Sequence, residues 1–196
     1  FSREAYKAEK WAFVSDYARY RILHTHGGVL LDTDVELLKP LDNLLENEAF
    51  AGFMKNNFFM APGLIMGAEP GSHVMDEVAR IYESMEFEER SGRNSMDTSP
   101  RVLTHYLEEK YNLKRDGTYQ KIDGFTAYPS RYFDPVDSHS GKVEITEDTY
   151  SIHHYSGTWL SPAKKYRIEA RKKLAPIVGP KLSWLLSSAA SVLKYG

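Results

Sequence analysis

Residues 27–36 read Gly27-Gly28-Val29-Leu30-Leu31-Asp32-Thr33-Asp34-Val35-Glu36, and the fold class turns on them. Before them a helical pattern runs over residues 3–26, with Ala8, Trp11, Ser15, Ala18 and Ile22 spaced to share one face. Gly27-Gly28 stops that helix, because glycine takes the left-handed position after a helix without a Cβ penalty. Val29-Leu30-Leu31 is short and wholly apolar, as expected of a strand buried on both sides. It leads directly into two carboxylates. Side chains at i and i+2 of a strand point to one face, so Asp32 and Asp34 address one point in space. That point lies beyond the carboxyl end of a strand, where open α/β sheets hold their ligands.

Outward from this segment, further strands are predicted over residues 50–53, 58–66, 118–122, 142–145 and 150–155. Helices are predicted over 72–86, opened by Gly71-Ser72, and over 100–111, capped by Thr98 or Ser99. The polar stretch 86–97 reads as a loop. Helices alternating with buried strands make an α/β protein. No internal repeat or low-complexity segment interrupts it.

The chain has 196 residues, 42% hydrophobic and 27% charged, which suits one domain with a real core and argues against disorder. Cysteine is absent, so disulfides, thiolate metal sites and cysteine nucleophiles are excluded, and a reducing, cytoplasmic setting is expected. No apolar run approaches the roughly 20 residues of a membrane span, and no signal-peptide pattern opens the chain. Phe1 falls straight into a helical pattern, which suggests that an N-terminal segment is missing.

The net charge of −2 hides an asymmetry. Residues 163–196 hold Lys164, Lys165, Arg167, Arg171, Lys172, Lys173, Lys181 and Lys194 against Glu169, a net of +7 that leaves −9 for residues 1–162. The acidic body argues against nucleic acid, whose binding rests on neutralising phosphates. The sequence therefore divides into a domain over 1–162 and a basic helical tail over 163–196. Tyr166, Trp184, Leu185, Leu186 and Tyr195 on that tail suit peripheral contact with an anionic membrane at its inner face. The plainer reading is a solvated helix pair broken near Gly179-Pro180.

Two neighbouring carboxylates with Glu36 nearby repel one another unless something positive lies between them. A hard divalent cation, Mn²⁺ or Mg²⁺, takes oxygen ligands and keeps positions open for substrate phosphates. The expected ligand is then a phosphate or pyrophosphate ester. An Asp-x-Asp alone is weak, since solvated acids at a strand-to-turn junction explain most such triplets; its place after helix, Gly-Gly and apolar strand is what raises it.

Taken together, Ala12-Phe13-Val14-Ser15-Asp16-Tyr17-Ala18-Arg19, then 27–35 and Leu38-Lys39-Pro40-Leu41, resemble the glycosyltransferases with a DXD sugar-binding region. These are family 32 and its relatives, among them bacterial capsular polysaccharide transferases and the yeast initiating mannosyltransferase. The resemblance continues through Gly63-Leu64-Ile65-Met66-Gly67-Ala68, Thr98-Ser99-Pro100 with Thr104, and Ser151-Ile152-His153-His154-Tyr155 with Trp159. It implies a GT-A type fold and a metal-dependent transferase that moves a sugar from a nucleotide-sugar donor to a glycan or lipid-linked acceptor with retained anomeric configuration. Relatives begin with a strand and helix upstream of residue 1, so the resemblance also implies an N-terminally truncated domain.

By the same resemblance, Asp16 and Arg19 hold the donor's ribose and sugar. Their i, i+3 spacing puts both on one helical face, where a local salt bridge is the plainer reading. Ser15 adds a hydroxyl or simply packs. Asp34 coordinates the cation, Asp32 contacts ribose or sugar hydroxyls while supporting the metal, and these two are the catalytic candidates. Gly63 lies where relatives approach the donor sugar, although Ala61-Pro62 precedes it here where relatives often carry Asn. Of the paired histidines, which point to opposite faces of a strand, His154 is the one implied to reach the metal or phosphate. Trp159 covers the nucleotide or fills core.

Two rivals stand beside this reading. A phosphatase of the haloacid dehalogenase type also places Asp-x-Asp after an apolar strand. Glu36 occupies the position where it needs Thr or Val, and Glu147-Asp148 has no apolar strand leading into it. The other rival is a non-catalytic remnant that binds nucleotide sugars or carbohydrate.

Overall fold

The computed structural model describes residues 1–86, 98–137, 141–157 and 161–195. Two helices open the chain, α1 (Ser2–Lys7) and α2 (Trp11–His26). The single helix expected over 3–26 is therefore divided. Glu9 takes a left-handed backbone, φ 56°, and the Lys10 N–H turns back to the Ala5 carbonyl. The buried face of α2 is also not the expected one. Trp11 and Ile22 are half exposed, whereas Arg19, Tyr20 and Leu23 are buried, with Asp16 completing an i, i+3, i+4, i+7 stripe. A polar pair thus lies on the inward face.

Gly27 ends α2 with φ 65°, its N–H bonded to the Leu23 carbonyl at 2.8 Å. A Cβ there would meet Pro70 at 2.5 Å, so both conformation and space demand glycine. Next comes β1 (Gly28–Leu30), then β2 (Val35–Leu37), β3 (Ala49–Gly52) and β4 (Met66–Ala68). After these follow α3 (His73–Ser84), α4 (Ser99–Tyr111), β5 (Gln120–Ile122), β6 (Phe125–Tyr128), β7 (Ser151–His153) and α5 (Pro162–Tyr195). Helix α4 starts after Thr98, one of the two expected caps, and ends at Asn112 in the left-handed region.

Five strands form one sheet in the order β1-β4-β3-β6-β5, antiparallel except for the parallel pair β3–β6. The architecture is mixed α/β. β1 lies at the edge, paired antiparallel with β4, so it is not the strand buried on both sides that its sequence suggests. Its faces still divide between two cores. Leu30 packs against the cluster around Tyr20, Tyr82, Met66 and Leu103, and Val29 and Leu31 against that around Phe50, Leu64, Phe133 and Tyr150.

Several expected strands shrink or vanish. Of 58–66 only Met66 is strand; Phe58 has φ 53° and Met60 makes a single bridge to Phe53. Residues 142–145 yield one bridge, Val136 to Val143. Conversely, β2 and β6 form where no strand was expected. The β5–β6 hairpin turns at Asp123-Gly124 with Ile122 opposite Phe125, and Gly124 has φ 66°. The loop expected over 86–97 lies, from residue 87 on, outside the described residues.

A second, two-stranded sheet joins β2 to β7 antiparallel, with Val35 opposite His153. This pairing carries a late segment of the chain to the end of β1. Helix α5 is interrupted at Gly179, φ 78° and ψ 164°, just before Pro180, where the break was expected.

Candidate functional site

Residues 32–34 are turn rather than strand, closed by the Val35 N–H on the Asp32 carbonyl at 3.1 Å. The two carboxylates converge all the same, because the turn is held from two sides. The Asp32 N–H donates to the Gly63 carbonyl at 3.1 Å, and the Asp34 carbonyl accepts the His154 N–H at 3.0 Å. Gly63 lies so close that a Cβ there would stand 2.3 Å from Asp32 Oδ2. The expected Gly63 therefore adjoins the Asp pair by backbone.

His153 Nε2 stands 3.3 Å from Asp34 Oδ1 and 3.7 Å from Asp32 Oδ2. One ligand atom from each of Asp32, Asp34 and His153 lies within 4.8 Å of the others, a grouping that could hold a metal ion. Here the expectation for His154 is corrected. Its ring points away, with Nε2 2.9 Å from Glu36 Oε2 on the exposed side. Alternation along β7 sends the two imidazoles to opposite faces, and the register Val35 to His153 decides which one faces the acids.

His153 is oriented by its neighbours. The Tyr155 N–H donates to His153 Nδ1 at 3.0 Å, and the Tyr155 ring packs on the imidazole, centroids 4.2 Å apart. The Ser156 N–H and Oγ both donate to Asp34 Oδ2 at 2.8 Å. Behind them, burial pushes up the carboxyl of Asp134, which accepts the Lys55 N–H at 2.9 Å. Burial, then the Asp134 charge, likewise holds the Tyr155 hydroxyl above the usual tyrosine range. Tyr155 stood in the motif quoted above without a role, and Ser156 and Asp134 were not found by sequence reasoning, although the paired histidines were a signal pointing to the segment that holds Ser156.

From the other side, Arg19 reaches the site across the inward face of α2. Its Nη2 lies 3.4 Å from Asp32 Oδ1 and 3.7 Å from Asp16 Oδ1, with the guanidinium almost wholly buried. Ser15 does not join them. Its Oγ donates to the Ala12 carbonyl at 2.7 Å on the exposed face. Trp159 lies outside the described residues.

The three aspartates differ electrostatically. Asp32 is held below the usual carboxylate range chiefly by the His153 imidazole 3.7 Å away, with Arg19 helping against burial. For Asp34, burial pushes upward, but the Ser156 donors and then His153 outweigh it and the net direction is down. Asp16 is pushed up to about 6, because burial outweighs Arg19. Near neutral pH three carboxylates thus face one permanent cation, Arg19, and the excess negative charge favours a positive ligand.

Residues 2–51 match the family model described as the glycosyltransferase sugar-binding region containing the DXD motif. That match ends within β3, so it includes Asp16, Arg19, Asp32 and Asp34 and leaves out Gly63, His153 and Ser156. Across 167 residues the chain is also 26% identical to an uncharacterized glycosyltransferase of Acanthamoeba polyphaga mimivirus. The alignment takes in 83% of this chain and 63% of that relative, so the chain spans less than two thirds of the relative's length.

Proposed function

We propose that the chain is a glycosyltransferase whose donor site is the corner between α2, β1 and β7, and that it moves a sugar from a nucleotide-sugar donor to a glycan or lipid-linked acceptor. The observation that carries this reading is the convergence of Asp32, Asp34 and His153 within 4.8 Å, backed by Arg19 and Asp16. Asp16, Arg19, Asp32 and Asp34 lie inside the segment that resembles a DXD sugar-binding region, and His153 is brought to them from outside it. A phosphatase of the haloacid dehalogenase type has no use for Arg19 against Asp32, nor for His153 against both acids.

The donor set fits a divalent cation. Two carboxylates supply hard oxygens and the imidazole suits Mn²⁺ at least as well as Mg²⁺. When bound, such a cation supplies charge to a departing diphosphate. The chain's own residues do the rest. Arg19, buried and forked, offers donors to a phosphate or hydroxyl beside Asp32. Asp16 offers an acceptor to a sugar or ribose hydroxyl. Ser156 holds Asp34 in one orientation through two hydrogen bonds, and Gly63 lets the main chain approach Asp32. Retention of configuration and a role in polysaccharide assembly belong to the same proposal, on the strength of the family resemblance.

The test is a thermal-shift and calorimetric screen of nucleotide sugars with and without Mn²⁺, since a ligand of the native state raises its apparent stability. A cation-dependent shift with one nucleotide series, followed by sugar transfer, supports the reading. Binding without transfer favours a non-catalytic binding protein, and no shift with any donor sinks the assignment.

A further inference from the structure

The second half of α5 is buried the wrong way round for a helix that serves only its own fold. Ser183 and Ser187, one turn apart, are fully buried, while Leu182, Trp184, Leu185 and Leu186 are about half exposed. Leu182, Leu185, Leu186 and the exposed Ala189 follow the i, i+3, i+4, i+7 spacing and form one stripe. Ser187 Oγ donates to the Trp184 carbonyl at 3.0 Å, so its hydroxyl is satisfied within the helix and needs no solvent. The helix thus spends its small polar side on the interior and turns its greasy side outward.

What covers that stripe is indicated by charge. Residues 163–196 carry a net of +7, with Lys164 and Lys173 exposed on the half of α5 that precedes Gly179, whereas residues 1–162 carry −9. A second copy docking by the same face would bring two such cationic segments together. An anionic bilayer surface instead attracts the lysines, receives the leucines at the headgroup level, and repels the acidic body. Among the described residues no helix is long and apolar enough to cross a membrane, so the contact is in-plane.

We propose that the Leu182–Leu186 face of α5, with the basic stretch before Gly179, docks this protein on anionic lipid surfaces. This surface is independent of the donor-site reading. The experiment is co-sedimentation of the full chain with phosphatidylcholine vesicles with and without phosphatidylglycerol, at low and high salt, beside sedimentation velocity without lipid. Binding to the anionic vesicles is expected to exceed binding to the neutral ones by about tenfold or more and to weaken with salt. Leu185→Ser with Leu186→Ser should reduce it about tenfold, and so should Lys164→Glu with Lys173→Glu, all at exposed positions that leave the circular dichroism unchanged. Equal binding to both vesicle types, or none to either, overturns the proposal. Self-association without lipid that Leu185→Ser abolishes, with no vesicle binding, overturns it in favour of a second copy as the occupant.

Discussion

Tyr155 donates its backbone N–H to His153 Nδ1, and that bond sets which imidazole nitrogen carries the proton. With Nδ1 engaged as an acceptor, the ring proton sits on Nε2, which faces Asp34 at 3.3 Å. In this arrangement His153 is a donor to the acids. To serve as a metal ligand through Nε2 it must shed that proton, and the Tyr155 contact must loosen. Ligation of a cation by His153 therefore requires a shift of the 153–156 segment that moves the ring proton to Nδ1.

His153→Ala is expected to lower Mn²⁺ affinity about tenfold or more, whether the ring ligates or only orients the acids. His154→Ala should leave that affinity unchanged and reduce stability by less than about 1 kcal/mol, because its pair with Glu36 is half exposed on both sides. Calorimetric titration of the two variants with Mn²⁺ checks this. Equal losses would mean that the facing of β7 is misassigned.

Asp34→Asn keeps the volume and the Ser156 contact geometry but removes the charge. Thermal melts in chelator should differ little from the wild type, while the stabilisation by Mn²⁺ with a nucleoside diphosphate disappears. A retained cation-dependent shift would exclude Asp34 from the site.

Gly63→Ala should destabilise by about 1–3 kcal/mol, since the new methyl must displace the Asp32 carboxylate or the main chain beside it. The cation response should weaken in the same variant. Denaturant unfolding with and without Mn²⁺ separates the two effects, and an unperturbed midpoint would show that the approach of Gly63 to Asp32 is looser than described.

Asp16 makes a pH prediction with a definite sign. Its folded-state value is about 6 against an ordinary 3.8, so the folded state binds the extra proton and its contribution to stability is full below about pH 4. That contribution is lost as the pH rises to 6 and beyond. Asp16→Asn, which needs no proton, should therefore be more stable than the wild type at pH 7, by on the order of 2 kcal/mol, and about equal to it near pH 4. Urea unfolding of both proteins in chelator at the two pH values measures the difference. A variant that loses more stability at pH 7 than at pH 4 would show that the Arg19 ion pair outweighs burial.

Much of the architecture was legible locally. The stops at Gly27 and Gly179, the helices α3 and α4 and the strands β3, β5 and β7 all follow from glycine conformation, capping or apolar periodicity over a few residues. The hairpin to β6 carried its own signal in Asp123-Gly124, a dipeptide that favours two-residue turns. The inward face of α2 was misread because Trp11 and Ile22 look like core, whereas Asp16 and Arg19 look like surface. A buried polar stripe is not visible to a pattern that equates apolar with inside.

The sequence by itself determined that two acids close an apolar strand after a glycine-stopped helix, and that charge is segregated between body and tail, since both are properties of neighbouring residues. Only the tertiary structure decided that β1 is an edge strand, that His153 rather than His154 turns to the acids, that Ser156 grips Asp34, and that the tail shows its leucines to the outside. The first three depend on pairing between segments far apart in the chain, where a shift of one residue sends a strand side chain to the opposite face, and the last on which face of α5 is buried; no local preference encodes either choice.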